Sequence, residues 1–250
     1  MVNVDEENEK EFYNKIGNLI GWDFSKMKYE LVDNSSFKYF DEINNLITDK
    51  SIVLDIGTGG GEKLTDLISD NCLLKIGTDF SKEMIKVAKM KNKSNKIRFF
   101  EMDSKLLNFP DKFFDIICAR HTPFNFKEVF RLLNDNGTFI SEQIDEDDCK
   151  KLKELFGRGQ GYNVEIKLID RMKEEARQQK LKNVEFYEIL QQEYYKTEED
   201  ILFLLRNTPI IPNFGEEIND YQKFNEYVRN NKTNRGILLE RKLFGIKMKK

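Results

Sequence analysis

Four glycines in five positions follow a short apolar run that carries a carboxylate. The stretch reads VLDIGTGGGEKL, from Val53 to Leu64, and Asp55 lies within its apolar part. Glycine permits positive φ angles and lets backbone N–H groups approach a ligand without interference from a Cβ atom. A helix that begins after such a loop directs its unpaired N–H groups at an anionic part of the ligand. The stretch therefore predicts a loop that holds a phosphate, a pyrophosphate or an amino-acid carboxylate.

The spacing around the glycines narrows the choice of ligand. A Walker A loop is excluded because Lys63 directly follows Glu62 and no Ser or Thr comes next. The dinucleotide fingerprint G-x-G-x-x-G fits at Gly57 and Gly59, but Glu62 stands where the third glycine belongs. A carboxylate at that point is unfavourable for a pyrophosphate. The carboxylate of Asp55, near the end of the strand, instead suits a ligand with a cationic portion.

A second candidate for chemistry is the pair Arg120 and His121, which ends the strand-like run FDIICAR and follows it. An imidazole with a pKa near neutrality can act as a general base or contact a substrate, and a guanidinium can hold a carboxylate or phosphate. The end of this strand would place both side chains at the same edge of the sheet as the glycine loop. A lone histidine is also commonly a hydrogen-bonded structural residue, so the structural alternative stays open.

Composition and charge exclude several classes of protein. The 250 residues carry a formal net charge of -3, so no global basic field attracts nucleic acid or a membrane surface. The locally basic stretch Lys86–Arg98 is expected to be a solvated helix end, with a patch for an anionic substrate as the alternative. Three cysteines without a C-x-x-C pair argue against a zinc ribbon or a disulfide framework, and no metal constellation is apparent. No apolar run approaches the roughly 18 residues of a membrane span, so we expect a cytoplasmic protein.

Short apolar runs alternate with helical stretches between Ser51 and Ile144. The strand-like runs are SIVLDIG, CLLKIGTD, IRFFEMD, FDIICAR and TFISEQI. Strands that alternate with helices indicate right-handed β-α-β crossovers, a mostly parallel open sheet and an α/β fold. After this part the alternation loosens, and two strand-like runs, NVEFYEILQQEYY and GILLERKLFGIKMK, enclose a further helical region.

This pattern predicts one domain over residues 1–250. We expect an N-terminal helical cap over residues 1–48 and a cofactor-binding core over 49–145. Residues 146–250 would supply the C-terminal half of the sheet. Within them, residues 192–235 are predicted to form an insertion that acts as a lid or acceptor site.

At these motifs the sequence resembles the class I S-adenosylmethionine-dependent methyltransferases. VLDIGTGGGE is similar to the first motif of that family, and IGTDFSKEMI is similar to the second. FFEMDSKLLNFPDKFFDIICARH resembles the third and fourth motifs, and VFRLLNDNGTFIS resembles the helix, turn and fifth strand, although its turn lacks the usual proline and one glycine. The resemblance covers about residues 40–145. It implies an open, mostly parallel seven-stranded Rossmann-like sheet with helices on both faces and an antiparallel last strand.

The resemblance also implies how the glycine loop would hold S-adenosylmethionine. Gly57, Thr58 and Gly59 would pass beneath the methionine part of the cofactor, with Asp55 near its ammonium group. Asp79 would accept hydrogen bonds from both ribose hydroxyls, since a carboxylate offers two acceptor oxygens to a vicinal diol. The structural alternatives are a loop-ordering role for Asp55 and a helix N-cap role for Asp79.

Four more residues would surround the adenine ring if the resemblance holds. Phe80 and Met84 would flank the ring, and Asp103 with the backbone of Ser104 would contact its amino edge. Plain core packing is the alternative for Phe80 and Met84, and a turn aspartate is the alternative for Asp103.

The sequence as a whole predicts an enzyme that transfers a methyl group from S-adenosylmethionine. Near-neutral charge favours a small-molecule acceptor, while an RNA nucleobase stays as an alternative acceptor. A regulatory protein that binds the cofactor without turnover and a nicotinamide-dependent oxidoreductase are the other functional alternatives. The sequence predicts no membrane partner, and it does not determine the acceptor or the oligomeric state.

Overall fold

The described part of the chain is built around one eight-stranded sheet. A computed structural model describes Phe24 and residues 27–250. Its strands are β1 (Tyr29–Asp33), β2 (Ile52–Ile56), β3 (Leu74–Asp79), β4 (Ile97–Glu101), β5 (Phe114–Arg120), β6 (Leu133–Ile144), β7 (Val184–Tyr195) and β8 (Ile237–Lys249). The helices of this part are α1 (Tyr39–Asn44), α2 (Glu62–Asp66), α3 (Lys82–Lys91), α4 (Phe126–Leu132), α5 (Lys150–Phe156), α6 (Leu168–Gln178), α7 (Glu198–Asn207) and α8 (Asp220–Asn231). None of these helices is long and apolar enough to cross a membrane.

The strand order is β1-β7-β8-β6-β5-β2-β3-β4. Strand β2 pairs in parallel with β3 and β5, and the outer pairs β3–β4 and β5–β6 are also parallel. The remaining pairs, β6–β8, β8–β7 and β7–β1, are antiparallel. The predicted α/β fold with a mostly parallel open sheet and an antiparallel last strand is confirmed.

The strand count is eight where the sequence pattern indicated seven. The additional strand is β1, which pairs with β7 at one edge of the sheet, in a segment expected to be helical and loop material. Its five residues are mostly exposed, so the apolar alternation that marks a strand is weak there. Residues 1–23, 25 and 26 of the predicted N-terminal cap lie outside the described residues.

The central strands are mostly apolar because helices cover both faces of the sheet. Val53 and Leu54 are neighbours on β2, and each is completely buried, but on opposite faces. Leu54 packs with residues of α4 and α6, and Val53 packs with residues of α1, α2 and α3. Full burial of such a side chain contributes about 1.5–3 kcal/mol to stability. Two cores therefore hold β2 and β5 rigidly, and these strands carry the candidate site.

A third apolar core lies between β7, β8, the two helices that connect them and α5. It joins Leu152 of α5, Ile201 of α7, Phe224 of α8 and Leu239 of β8. Helix α7 begins with a capping box in which Thr197 and Asp200 exchange hydrogen bonds between side chain and backbone. The predicted insertion thus consists mainly of two packed helices. Its role as a lid or acceptor site stays a prediction.

The strand order reverses between β2 and β5. From β2 the chain proceeds through β3 to β4 on one side, and β5 leads to β6 on the other. Ile56 at the end of β2 lies opposite Ala119 near the end of β5. The loops that leave such a pair diverge, and open α/β sheets bind ligands in the resulting crevice beyond the carboxyl ends of the strands.

Candidate functional site

The glycine loop follows β2 at this crevice. Gly57, Gly59 and Gly61 adopt φ angles of +71°, +56° and +81°, which L side chains rarely adopt. A Cβ atom on Gly57 would collide with the side chain of Thr122, and one on Gly61 would lie 2.7 Å from the Phe99 ring. The loop therefore passes closely between the segment after β5 and the ring on β4, and glycine is required at both contacts.

The helix after the loop begins with the carboxylate that breaks the dinucleotide fingerprint. Gly61 is the N-cap of α2, and Glu62 is its first residue. The Oε1 atom of Glu62 accepts a hydrogen bond of 2.6 Å from Lys91 Nζ on α3. An ion pair between α2 and α3 thus involves the residue at the position where the dinucleotide fingerprint has its third glycine.

Asp79, the last residue of β3, is nearly buried and connects the loop to the next helix. Its Oδ2 atom accepts a hydrogen bond of 2.9 Å from the Gly59 N–H, and its Oδ1 atom accepts one of 2.8 Å from the Ser81 N–H. Burial raises the pKa of this carboxyl group. The side chain that caps α3 is Ser81, whose Oγ atom accepts from the Met84 N–H. Each Asp79 oxygen retains a further lone pair for a ligand hydroxyl.

Asp55 lies beneath the loop on β2 and is also buried. The Cys118 Sγ atom on β5 is 3.5 Å from Asp55 Oδ1 and 3.3 Å from the Leu54 carbonyl oxygen. Burial raises the pKa of Asp55 to about 6. The buried hydroxyls of Tyr39 and Thr58 lack a well-aligned hydrogen bond within the described residues. Buried polar groups without partners are uncommon and frequently mark a ligand site.

The residues predicted around an adenine ring have mixed environments. Met84 is buried, while Phe80 is half-buried at the end of β3. The loop after β4 reaches the same edge, because the Met102 N–H donates to the Asp79 carbonyl oxygen. Asp103 is exposed in that loop, and its Oδ1 atom accepts from the Lys105 N–H. Asp103 therefore makes the hydrogen bond of a turn aspartate. Its exposed carboxylate can still accept a further hydrogen bond from a ligand.

Ser104 follows Asp103 in the same loop and is half-buried. The structure thus brings the glycine loop, the end of β3 and the loop after β4 to one edge of the sheet. This is the arrangement that the predicted cofactor residues require, although their roles stay predictions.

Arg120 and His121 meet at a carboxylate that sequence reasoning missed. Arg120 Nε donates a hydrogen bond of 2.7 Å to Glu142 Oε1 on β6. His121 Nε2 lies 3.3 Å from the same oxygen, but the geometry is not that of a hydrogen bond. The backbone N–H of His121 donates to the Glu142 carbonyl oxygen, and its φ angle is +53°. Residues other than glycine rarely adopt a positive φ angle, and those that do cluster at functional sites.

The environment of His121 makes the ring a poor proton acceptor. Burial lowers its pKa to about 4, and the positive charge of Arg120 acts in the same direction. Burial acts to raise the pKa of Glu142, but the charge of Arg120 and the proximity of His121 outweigh it and hold the pKa at about 2. At neutral pH, His121 is uncharged and Glu142 is ionised. A general base works best with a pKa near the working pH, so His121 is better suited to contact a substrate than to take its proton.

A further charged cluster extends from this point along the same edge. Arg241 Nε and Nη2 on β8 donate to Asp148 at 2.8 and 3.1 Å, and Nη1 donates to Glu193 at 3.2 Å. The Tyr195 hydroxyl also donates to Glu193, at 2.7 Å. These residues are far apart in sequence. The only signal for them was a set of charges inside otherwise apolar strand-like runs.

One family model matches the chain across this site. Residues 54–141, from β2 to β6, match the model described as "Methyltransferase domain". The matched region contains the glycine loop, Asp79, the loop after β4, and Arg120 with His121. No curated protein matches the chain.

Solved structures share the fold at low identity. YcgJ from Bacillus subtilis is 20% identical, with a TM-score of 0.57 over 84% of this chain and 95% of that chain. A protein from Bacillus halodurans C-125 that is assigned as a methyltransferase is 15% identical, with a TM-score of 0.56 over 84% and 96%. The (4+2)-cyclase SpnF is 16% identical, with a TM-score of 0.50 over 84% and 79%. These similarities show a common fold, and a fold alone does not fix the reaction.

Proposed function

Because the chain carries a methyltransferase domain of the class I, Rossmann-like type, matched over residues 54–141, we propose that it binds S-adenosylmethionine at the glycine loop and transfers the methyl group to a small molecule. The observation that carries the proposal is the bond between Gly59 N–H and the Asp79 carboxylate at the point where strand order reverses. This bond brings a glycine-rich backbone and an acidic side chain to the place where such sheets bind nucleosides.

The residues at this edge fit S-adenosylmethionine in chemistry. A Cβ atom on Gly57 would collide with the Thr122 side chain, so the glycine loop lies directly against the segment that follows β5. Asp55 offers a buried carboxylate for an ammonium group, and the neighbouring hydroxyls of Tyr39 and Thr58 lack well-aligned partners. Asp79 retains lone pairs for a ribose diol. A zwitterionic ligand with a ribose would satisfy these groups.

The bound cofactor supplies an activated methyl group on a sulfonium, so the protein's part is mainly alignment and the exclusion of water. Gly57, Thr58 and Gly59 hold the methionine portion, with Asp55 beside its ammonium group. Asp79 holds the ribose. Phe80 with Met84, and Asp103 with the Ser104 backbone, are the proposed contacts of the adenine ring.

Arg120 and His121 lie at the end of β5, next to this cofactor site, and are the proposed contacts of the acceptor. The low pKa of His121 supports a contacting role over a general-base role. Transfer would then suit an acceptor that is already nucleophilic at neutral pH, or one that loses its proton to water.

Local contacts of the basic stretch Lys86–Arg98 support a small molecule over RNA. Lys91 is paired with Glu62, and Lys96 donates to two backbone carbonyl oxygens. Arg98 donates to the carbonyl oxygens of Asn95 and Ile97. Because these side chains stabilise the surrounding turns, fewer of them are available to contact the phosphates of RNA.

Calorimetric titration tests the proposed cofactor directly. We expect S-adenosylmethionine and S-adenosylhomocysteine to bind and NAD not to bind. The same protein, given labelled S-adenosylmethionine, should label a pool of small metabolites and leave total RNA unlabelled. Tight NAD binding without S-adenosylhomocysteine binding would contradict the proposal. Cofactor binding with neither pool labelled would favour the non-catalytic alternative, and labelling of RNA alone would favour a nucleobase acceptor.

Affinity for S-adenosylhomocysteine should fall in acid because the ammonium group requires an ionised Asp55. The pKa of Asp55 is about 6, so from pH 7.5 to pH 5 the ionised fraction falls about tenfold. We expect a similar loss of affinity in calorimetry. In Asp55→Asn the affinity should be low at both pH values, with little dependence on pH. A wild-type affinity that is constant over this range would contradict the assigned contact.

A further inference from the structure

A row of charged and hydroxyl side chains crosses one face of the sheet at its carboxyl edge. Strand register places Arg120 opposite Glu142, and β8 then contributes Arg241 beside Glu193 of β7. Tyr29 of β1 ends the row, where its ring stacks on Tyr195 with the ring centroids 5.2 Å apart. Because paired residues of neighbouring strands point to the same face, these side chains form one continuous surface.

The front of this row differs in charge from the layer behind it. The Arg120 side chain is 33% exposed, and Tyr29 is 42% exposed. The carboxylates of Glu142 and Glu193 are only 7% and 9% exposed. All three guanidinium nitrogens of Arg241 donate hydrogen bonds to Asp148 or Glu193. A ligand that approached the row would meet a guanidinium and a phenol before it met a carboxylate.

The exposed groups also have hydrogen-bonding capacity that the described residues do not use. Arg120 donates to Glu142 through Nε, while its terminal nitrogens Nη1 and Nη2 donate to no other described residue. The Tyr29 hydroxyl has no hydrogen bond in the described part of the chain, and neither does the buried His121 Nε2. The hydrogen bond from Nε to Glu142 holds one edge of the planar Arg120 guanidinium. The edge that carries Nη1 and Nη2 has no hydrogen-bond acceptor among the described residues. A fork of this kind matches the two oxygens of a carboxylate or phosphate.

We propose that Arg120 and His121 form an anion-binding subsite that holds a carboxylate or phosphate group of the methyl acceptor. The inference rests on the proposed function, since it assigns the acceptor class for the same site. It places the anionic group at the end of β5, beside the glycine loop. The acceptor is then a small anionic metabolite whose nucleophilic atom lies near its anionic group.

The single histidine gives a direct test of this subsite. Because His121 is the only histidine of the chain, its imidazole gives one set of ring signals in the NMR spectrum of untagged protein. With the protein saturated in S-adenosylhomocysteine at pH 7, we expect saturable shifts of these signals on titration with methyl phosphate or with acetate at constant ionic strength. The stronger of the two anions identifies the group carried by the acceptor. Methylamine should give no shift.

Variants separate the subsite from general effects of charge. Arg120→Gln should weaken anion binding by at least about tenfold, since bonds from a charged donor are lost. Arg120→Lys should recover only part of the loss because it keeps the charge without the fork. Arg229→Gln, on the exposed side of α8, should bind the anion like the wild type.

Three outcomes would overturn the inference. These are no shift with either anion, an equal shift in Arg120→Gln, or a saturable shift with methylamine instead. Calorimetry on the same samples keeps the two proposals distinguishable. If S-adenosylhomocysteine binds and the anions do not, the subsite is wrong and the cofactor proposal stands. If S-adenosylhomocysteine itself does not bind, the proposed function fails.

Discussion

Asp79→Asn is expected to weaken the binding of S-adenosylhomocysteine by about 100-fold in calorimetry. The carboxylate accepts the Gly59 and Ser81 N–H groups and is proposed to accept the ribose hydroxyls as well. An asparagine keeps the shape, but its amide nitrogen is a donor that would face one of these donors. A hydrogen bond to a charged group contributes about 1.5–3 kcal/mol, and each 1.4 kcal/mol is a factor of ten in affinity.

A structural role for Asp79 and a direct ribose contact predict different ligand preferences. If the carboxylate contacts the ribose, the wild type should bind S-adenosylhomocysteine more tightly than its 2′-deoxy analogue, and Asp79→Asn should bind both alike. If the carboxylate only orders the glycine loop, the variant should keep the preference of the wild type. Asp66→Asn, exposed on α2 near the same loop, is the matched control and should bind normally. Unchanged affinity in Asp79→Asn would contradict the assignment.

The fold could be predicted from the sequence wherever a strand is buried on both faces. Runs such as VLDI and DIICA are apolar because helices cover both sides of the sheet, and this is a strong local signal. The edge strand Tyr29–Asp33 was missed, since its partner β7 lies more than 150 residues away in sequence. What makes it a strand is pairing with a distant segment, and five mostly exposed residues do not encode that partner locally.

The candidate site divides in the same way. Gly57 and Asp79 could be identified because they belong to contiguous motifs whose spacing follows from a strand, a turn and a helix. Glu142 and Arg241 could not, since only the strand register brings them beside Arg120 and Asp148. His121 was predicted as a general base or a substrate contact from its residue type and its position directly after a strand. Burial and a neighbouring cation, which lower its pKa to about 4, are properties of the folded state.

Arg241→Met is expected to lower the free energy of unfolding by about 3–5 kcal/mol, the usual cost of removing one partner of a buried ion pair. The guanidinium is almost entirely buried and neutralises Asp148 and Glu193. Methionine fills a similar volume but leaves two buried carboxylates without their hydrogen-bonded guanidinium. Urea unfolding monitored by circular dichroism measures the change. Arg206→Met, which breaks an exposed ion pair with Glu199 on α7, is the matched control and should unfold near the wild-type midpoint.

The pH dependence of this loss tests its electrostatic cause. In the wild type, burial acts to raise the pKa of Asp148, but the charge and hydrogen bonds of Arg241 outweigh it and hold the pKa below its ordinary value. Its stabilising contribution is therefore present above the unfolded pKa of about 3.8 and is lost as the pH falls through the lower folded value. In Arg241→Met, only the Lys242 N–H and the charge of Lys153 still oppose the effect of burial on Asp148. We expect the pKa of Asp148 to rise above its unfolded value, so that the folded state binds a proton more readily than the unfolded state. The variant should then gain stability between pH 7 and pH 5, and Asp148→Asn in the same background should remove part of that gain. If the difference in the free energy of unfolding between the wild type and Arg241→Met stayed constant with pH, the lost stability would come from packing alone.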